Sequence, residues 1–234
     1  MKRVNHSFTL IEMLVVMSIA ALLIGLLIPG FSKMMFGSKV DQCTSNLKLG
    51  FELAQSRAVS ARKYVALIFP VNYSDTDSRL KKYVGGGYRM AYVKKDGSNW
   101  KFLSWIPDDY WRNPAEGAML VKIVEGKNDI ADADAGSLET ALNNGFKGAA
   151  THLTQLSSVP SDDEDLTGIK ADTLATALIF SPYGGLADRN LPLGFVVTEA
   201  KVSGDNFVYD NPDNYLVLKV NAITGRVENV PMKD

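Results

Sequence analysis

The longest charge-free run of the chain lies near its N-terminus and constrains the fold more than any other feature. No residue from Met13 to Ser32 is charged, and these 20 residues match the roughly 20 that a helix needs to cross a bilayer core. Lys2 and Arg3 precede the run, and basic flanks favour the cytoplasmic side of a membrane. The sequence therefore predicts a single membrane span at about 13–32, with a cytoplasmic N-terminus and an exported C-terminal part.

One acidic residue, Glu12, stands at the start of this apolar run. A carboxylate inside a membrane helix costs about 2.5–3.5 kcal/mol on insertion scales, so we expect it to have a partner. Alternatively, Glu12 is solvated at the level of the headgroups and stabilised by the helix N-terminus. A removable secretory signal is disfavoured, because the run is long and lacks a small-x-small cleavage site followed by a polar mature end.

Residues 7–12 read Ser-Phe-Thr-Leu-Ile-Glu and lead directly into the apolar run. With the basic leader before it, this segment resembles the class III signal of type IV pilins and type II secretion pseudopilins. The resemblance implies that a prepilin peptidase removes leader 1–7 by cutting between Ser7 and Phe8, and then N-methylates Phe8. The family usually has Gly before the cut, where this chain has Ser7, which is also small.

The same resemblance gives Glu12 a role in assembly. It implies that Glu12 neutralises the N-terminal amine of a neighbouring subunit. An ammonium and a carboxylate are each costly alone in apolar surroundings, but they are tolerable as a hydrogen-bonded pair.

The helix is predicted to continue beyond the apolar run and to cover residues 8–62. Apolar residues recur there every three or four positions, which predicts one buried stripe: Val40, Cys43, Leu47, Phe51, Ala54, Ala58 and Ala61. The opposite, polar face carries Lys39, Asp41, Lys48, Glu52, Gln55 and Arg57. Pro29 should kink or locally melt the helix. Cys43 is predicted to be a small buried hydrophobe rather than a redox group.

After Arg62 the pattern becomes strand-like, and residues 63–234 are predicted to form an exported β-rich domain. The candidate strands are Tyr64–Pro70, Tyr88–Lys95, Asn99–Ser104, Met119–Val124, Ala177–Ser181, Leu193–Lys201, Tyr215–Asn221 and Arg226–Val230. Asp96-Gly97 predicts a type I′ hairpin, and Thr224-Gly225 joins the last two strands. Residues 125–175 are predicted to be an insertion with a helix from Ser137 to about Leu156 and a loop at Ser157–Gly168. The fold class is therefore α+β, a long transmembrane and amphipathic helix packed on a mainly antiparallel sheet.

Three further segments resemble the GspH/FimT-type pseudopilins in their order along the chain. These segments are Leu53–Arg62 at the helix end, Phe180–Gly185, and Thr224–Val227. The resemblance implies a pilin-like structural subunit of a type II secretion pseudopilus or a type IV pilus, which is not an enzyme and has no cofactor. It also implies other pilins and the assembly machinery as partners, and a place in the bacterial inner membrane before assembly.

Charge and composition weigh against several other functions. The chain has 25 basic and 26 acidic side chains, and loss of Lys2 and Arg3 with the leader leaves 25 − 2 = 23 against 26. This balance disfavours nucleic-acid binding, including a DNA-uptake role through Arg226, next to Gly225. One cysteine and two histidines exclude a Cys-cluster metal site, and His152 has no recognisable nucleophile or oxyanion hole.

Three remaining patterns have weaker interpretations. Gly85–Gly87 lacks a phosphate-loop context and is predicted to be a flexible turn between strands. Acidic residues are interpreted as solvated loops rather than calcium ligands: Asp129, Asp132, Asp134, Asp162–Asp165, Asp205, Asp210 and Asp213. Trp100 and Phe102 are predicted to be core, whereas Trp105 and Trp111 are interface candidates. An aromatic platform would suit the alternative function, a membrane-anchored envelope carbohydrate-binding protein or enzyme.

Overall fold

The computed structural model describes residues 10–70, 83–113, 116–126, 130, 152–157, 176–203 and 206–230, and over 26–38 it describes the backbone alone. Its elements are α1 (Leu10–Ala61), β1 (Tyr64–Phe69), β2 (Arg89–Asp96), β3 (Asn99–Trp105), β4 (Met119–Glu125), β5 (Thr154–Ser157), β6 (Thr176–Phe180), β7 (Leu193–Ser203), β8 (Asn206–Val220) and β9 (Val227–Val230). The chain divides into two compact units, Met1–Ser38 and Lys39–Asp234.

Helix α1 is 52 residues long and its helical assignment includes Pro29. The predicted kink at Pro29 stays a prediction. The helix ends in a Schellman motif, in which the Lys63 N–H donates to the Ala58 carbonyl (3.2 Å) and the Arg62 N–H to the Val59 carbonyl (3.3 Å). Arg62 has a left-handed φ of 53°, at the position that glycine usually occupies. The sequence carries no glycine there to signal the stop.

The strands form two sheets. A closed barrel has the order β1-β2-β3-β5-β6, and a four-stranded sheet has the order β4-β7-β8-β9. The pairs are antiparallel except for β3 with β5, where Trp100 lies opposite Leu156 in a parallel register. The predicted α+β class with mainly antiparallel strands is therefore confirmed.

The sequence of strand β1 is one continuous apolar run because both faces of the strand are buried. Val65, Leu67 and Phe69 belong to a core cluster that also contains α1 and the four-stranded sheet. Ala66 and Ile68 point the other way, into a second cluster with other barrel residues. Because side chains alternate along a strand, a strand covered on both faces has no polar face. β1 therefore lies between two apolar cores.

The predicted helix from Ser137 to Leu156 is wrong at its C-terminal end. Residues 154–157 form β5, which pairs with β3 and β6. Leu153 and Leu156 are both buried, and their spacing of three is typical of one helix face. In the structure, Leu153 precedes β5 and belongs to one core cluster, whereas Leu156 belongs to the other. Residues 137–151 of the predicted helix and 158–168 of the predicted loop lie outside the described residues.

The hairpin between β2 and β3 is present, but its predicted turn type is wrong. Asp96 pairs with Asn99, so Gly97 and Ser98 form the hairpin loop. Gly97 has a φ of 63° and Ser98 is not among the described residues with positive φ, which is the type II′ pattern rather than type I′.

Strand β8 begins at Asn206, not at Tyr215. Pro212 normally ends a strand, but here it lies in a bulge between Asn211, opposite Glu199, and Tyr215, opposite Thr198. The Thr198 hydroxyl lies within hydrogen-bond distance of the Asn211 and Asn214 carbonyls. The bulge lets the ladder resume beyond the proline, so β8 is 15 residues long.

Candidate functional site

The predicted processing residues Ser7 and Phe8 lie outside the described residues. Glu12 lies in the first turn of α1 and is exposed. It stands among exposed apolar side chains of the same helix: Leu10, Ile11, Met13, Leu14, Val15, Val16, Met17, Ile19, Leu22, Leu23 and Ile24. A soluble monomer rarely exposes so much contiguous apolar surface, so this segment is a candidate interaction surface. Among the side chains that the structure describes, no helical stretch is long and apolar enough to span a membrane.

The second half of α1 is built into the core. Six residues of the predicted stripe are buried, namely Val40, Cys43, Leu47, Phe51, Ala54 and Ala58, and Ala61 at its end is half-buried. The Phe51 ring contacts Phe69 of the barrel (centroids 6.5 Å apart) and Phe195 of the other sheet (4.8 Å). The predicted stripe, with Cys43 buried in it, is therefore confirmed, and Phe51 joins the helix to both sheets.

Close contact between α1 and Tyr88 depends on a glycine. A Cβ at Gly50 would lie 2.2 Å from the Tyr88 hydroxyl oxygen, so a larger residue would displace the ring. The Tyr88 hydroxyl donates to the Asn46 carbonyl at 3.3 Å. Burial raises the pKa of Tyr88 above its ordinary value of 10.0, although the nearby Arg112 guanidinium acts in the opposite direction. The phenol is therefore neutral near pH 7 and donates a hydrogen bond to the helix backbone.

A buried carboxylate, Asp109, organises the loop beside Tyr88. One of its oxygens accepts the Met90 N–H at 2.8 Å, and the other lies 3.4 Å from the Arg112 guanidinium. The Arg89 side chain donates to the Asp109 carbonyl at 3.0 Å. Sequence reasoning missed Asp109 and Arg112, because isolated charges in a loop carry no spacing signal before the fold brings them to the helix.

A small cavity of about 180 Å³ lies between this loop and α1. Its lining includes Asn46, Leu47 and Leu49 of the helix, Tyr88 before β2, and Arg112 and Asn113 of the loop. The lining residues therefore include two leucines, two asparagines and Arg112, whose guanidinium is paired with Asp109.

The two C-terminal motifs singled out in the sequence meet at one residue of α1. The Gln55 side-chain amide donates to the Gly184 carbonyl (2.9 Å) and to the Thr224 carbonyl (2.6 Å). A Cβ at Gly225, where φ is 69°, would lie 2.0 Å from the Gly184 oxygen. Gln55 lies on the polar face, as predicted, but it is half-buried there because the two loops fold over that part of the helix.

The aromatic cluster is mainly core. Trp100 and Phe102 are buried as predicted, but Trp111 is buried too, so its prediction as an interface residue is wrong. The half-buried Trp105 ring contacts Phe102 (5.0 Å) and Trp111 (5.9 Å), and the Arg89 guanidinium lies over it at 4.4 Å. A sugar-binding platform needs an open ring face, and these contacts occupy Trp105 on several sides.

Other candidate groups pair with neighbours where the structure describes them. Arg226 lies 3.4 Å from Glu228, which offsets its charge, and Lys201 lies 2.9 Å from Asp210. The half-exposed His152 lies 3.5 Å from Glu125, which also binds Arg189 at 2.8 Å.

Two weaker sequence patterns can also be placed. In the described ranges, no three His, Cys, Asp or Glu residues come together as metal ligands, and Asp129, Asp132, Asp134, Asp162–Asp165 and Asp205 lie outside these ranges. The Gly85–Gly87 segment is a buried turn, and its Gly85 carbonyl accepts the Leu120 N–H at 2.7 Å.

The N-terminal segment matches a known family of sequence signals. Residues 2–28 match the family model described as the prokaryotic N-terminal methylation motif. This match includes Ser7, Phe8 and Glu12, and it confirms the resemblance of this segment to a class III signal. No curated protein sequence matches the chain in the corresponding comparison.

Solved structures similar to this chain include proteins of two bacteria. A crystal structure of the type IV minor pilin FimU of Pseudomonas aeruginosa PAO1 is 14% identical, with a TM-score of 0.40, and the match covers 83% of this chain and 90% of that one. The minor pseudopilin EpsH from the Type 2 Secretion System of Vibrio cholerae is 10% identical, with a TM-score of 0.38 and coverages of 82% and 96%.

Proposed function

We propose that this chain is a minor pilin or pseudopilin, a structural subunit that is processed at its N-terminus and assembled into a type IV pilus or a type II secretion pseudopilus. The observation that carries this proposal is the methylation motif over residues 2–28. The two halves of α1 support it, since the first exposes apolar side chains and the second is packed in a core. Within this class we assign the chain to the GspH/FimT type.

In the precursor, residues 13–32 span the bacterial inner membrane, leader 1–7 is cytoplasmic, and the β-rich domain is periplasmic. Prepilin peptidase cuts between Ser7 and Phe8 and methylates the Phe8 amine. The apolar surface of the first half of α1 then passes from lipid into a bundle of subunit helices. Pro29 bends the helix, because proline lacks the backbone N–H that would donate a hydrogen bond to the preceding turn. The proposed partners are the peptidase, the other subunits and the assembly machinery, and the subunit catalyses no reaction.

Glu12 is proposed to pair with the Phe8 amine of a neighbouring subunit. The exposed position of Glu12 on α1, among apolar side chains, supports this role. A carboxylate brought into an apolar bundle is stabilised there by an ammonium that donates hydrogen bonds to it.

The N-terminus of the full chain extracted from its native membranes tests processing. Intact-mass and N-terminal analysis should give a chain that begins with N-methyl-Phe8. Retention of Met1–Ser7 would contradict the proposal and point to a permanently anchored envelope protein. A cut after Ser32 would show that the segment is a secretory signal.

The pairing role of Glu12 is tested with Glu12→Ala, and Glu52→Ala is the matched control on an exposed position of the same helix. Glu12→Ala should be processed at Phe8 but should enter sheared fibres several-fold less than the wild type. Glu52→Ala should assemble normally. Equal recovery of Glu12→Ala and wild type in the fibres would overturn the pairing.

A further inference from the structure

We draw no further inference here: the strongest candidate, the surface patch with the exposed side chains of Tyr183 and Ile223 on the two loops that Gln55 joins to α1, carries none, because nothing in the structure shows what covers it.

Discussion

Arg62 adopts a strained backbone conformation at the end of α1. Its backbone closes the Schellman motif at the end of α1 with a φ of 53°. A left-handed conformation costs a residue with a Cβ roughly 1–2 kcal/mol, whereas glycine adopts it without this cost. The structure therefore contains a small, local strain that one substitution can remove.

Arg62→Gly should stabilise the chain by about 0.5–1 kcal/mol, because the gain at positive φ exceeds the extra entropy that glycine loses on folding. Urea unfolding of the full chain in micelles, followed by tryptophan fluorescence, measures the change. The matched control is Arg57→Gly, an exposed helix-interior position, which should cost about 1 kcal/mol. A destabilised Arg62→Gly would contradict the assigned cap.

Tyr88 should make stability depend on alkaline pH. Its folded-state pKa is raised by burial, so its contribution is fully present below the unfolded value of about 10 and is lost as the pH rises further. The free-energy difference between wild type and Tyr88→Phe should therefore shrink when the pH rises from neutral to above about 10. Urea unfolding at both pH values measures this change, and Tyr110→Phe, which removes an exposed phenol, is the control. A constant difference would contradict a buried, neutral phenol.

At the scale of elements, α1 contacts the β-rich part of the chain through both its faces. The apolar face packs in the core, and the polar face binds two loops through Gln55. The buried stripe follows from the sequence period, because residues three and four positions apart share one face of a helix. The hydrogen bonds from Gln55 to the Gly184 and Thr224 carbonyls do not follow from this period, since a glutamine among charged residues carries no signal of a buried partner. Only the approach of the Gly184 and Thr224 loops converts Gln55 into a link between three segments.

Gln55→Ala should destabilise the chain by about 1–3 kcal/mol, because two backbone carbonyls lose their side-chain donor. Glu52→Ala, an exposed position one turn earlier, should change stability by less than about 0.5 kcal/mol. Urea unfolding under the same conditions compares the two variants. Equal effects would show that the Gln55 bonds contribute nothing specific.

At the scale of the unit Lys39–Asp234, helix α1 packs against both sheets, which also contact each other through Phe69 and Phe195. Phe51 contacts Phe69 of the barrel and Phe195 of the four-stranded sheet. The residues of α1, β1 and β7 belong to one cluster, so the loss of a large side chain at this point affects both sheets.

Phe51→Ala should lower the free energy of unfolding by about 3–5 kcal/mol, which combines lost burial with the cavity left behind. Leu49→Ala, a half-exposed neighbour on the same helix, should cost less than about 1 kcal/mol. Chemical unfolding monitored by both circular dichroism and tryptophan fluorescence checks both values. A small effect of Phe51→Ala would mean that the two sheets do not depend on the helix.

The sequence by itself determined the features that depend on local order. These are the methylation motif with Ser7, Phe8 and Glu12, the apolar run, the buried stripe of α1 and most strand positions. Each depends on consecutive residues or on the short spacing of apolar residues along the chain, and these local patterns determine secondary structure and cleavage signals. The candidate processing site was therefore predictable from the sequence.

The tertiary structure decided what depends on contacts between distant residues. It divided the strands into a barrel and a separate sheet, converted residues 154–157 from predicted helix or loop to strand, and buried Trp111. It also brought Arg112 and Asn113 against Asn46 and Leu49 to form the cavity. These residues are far apart along the chain, and no local propensity brings them together. Only packing against a shared core, which lowers the free energy of the whole chain at once, selects these contacts.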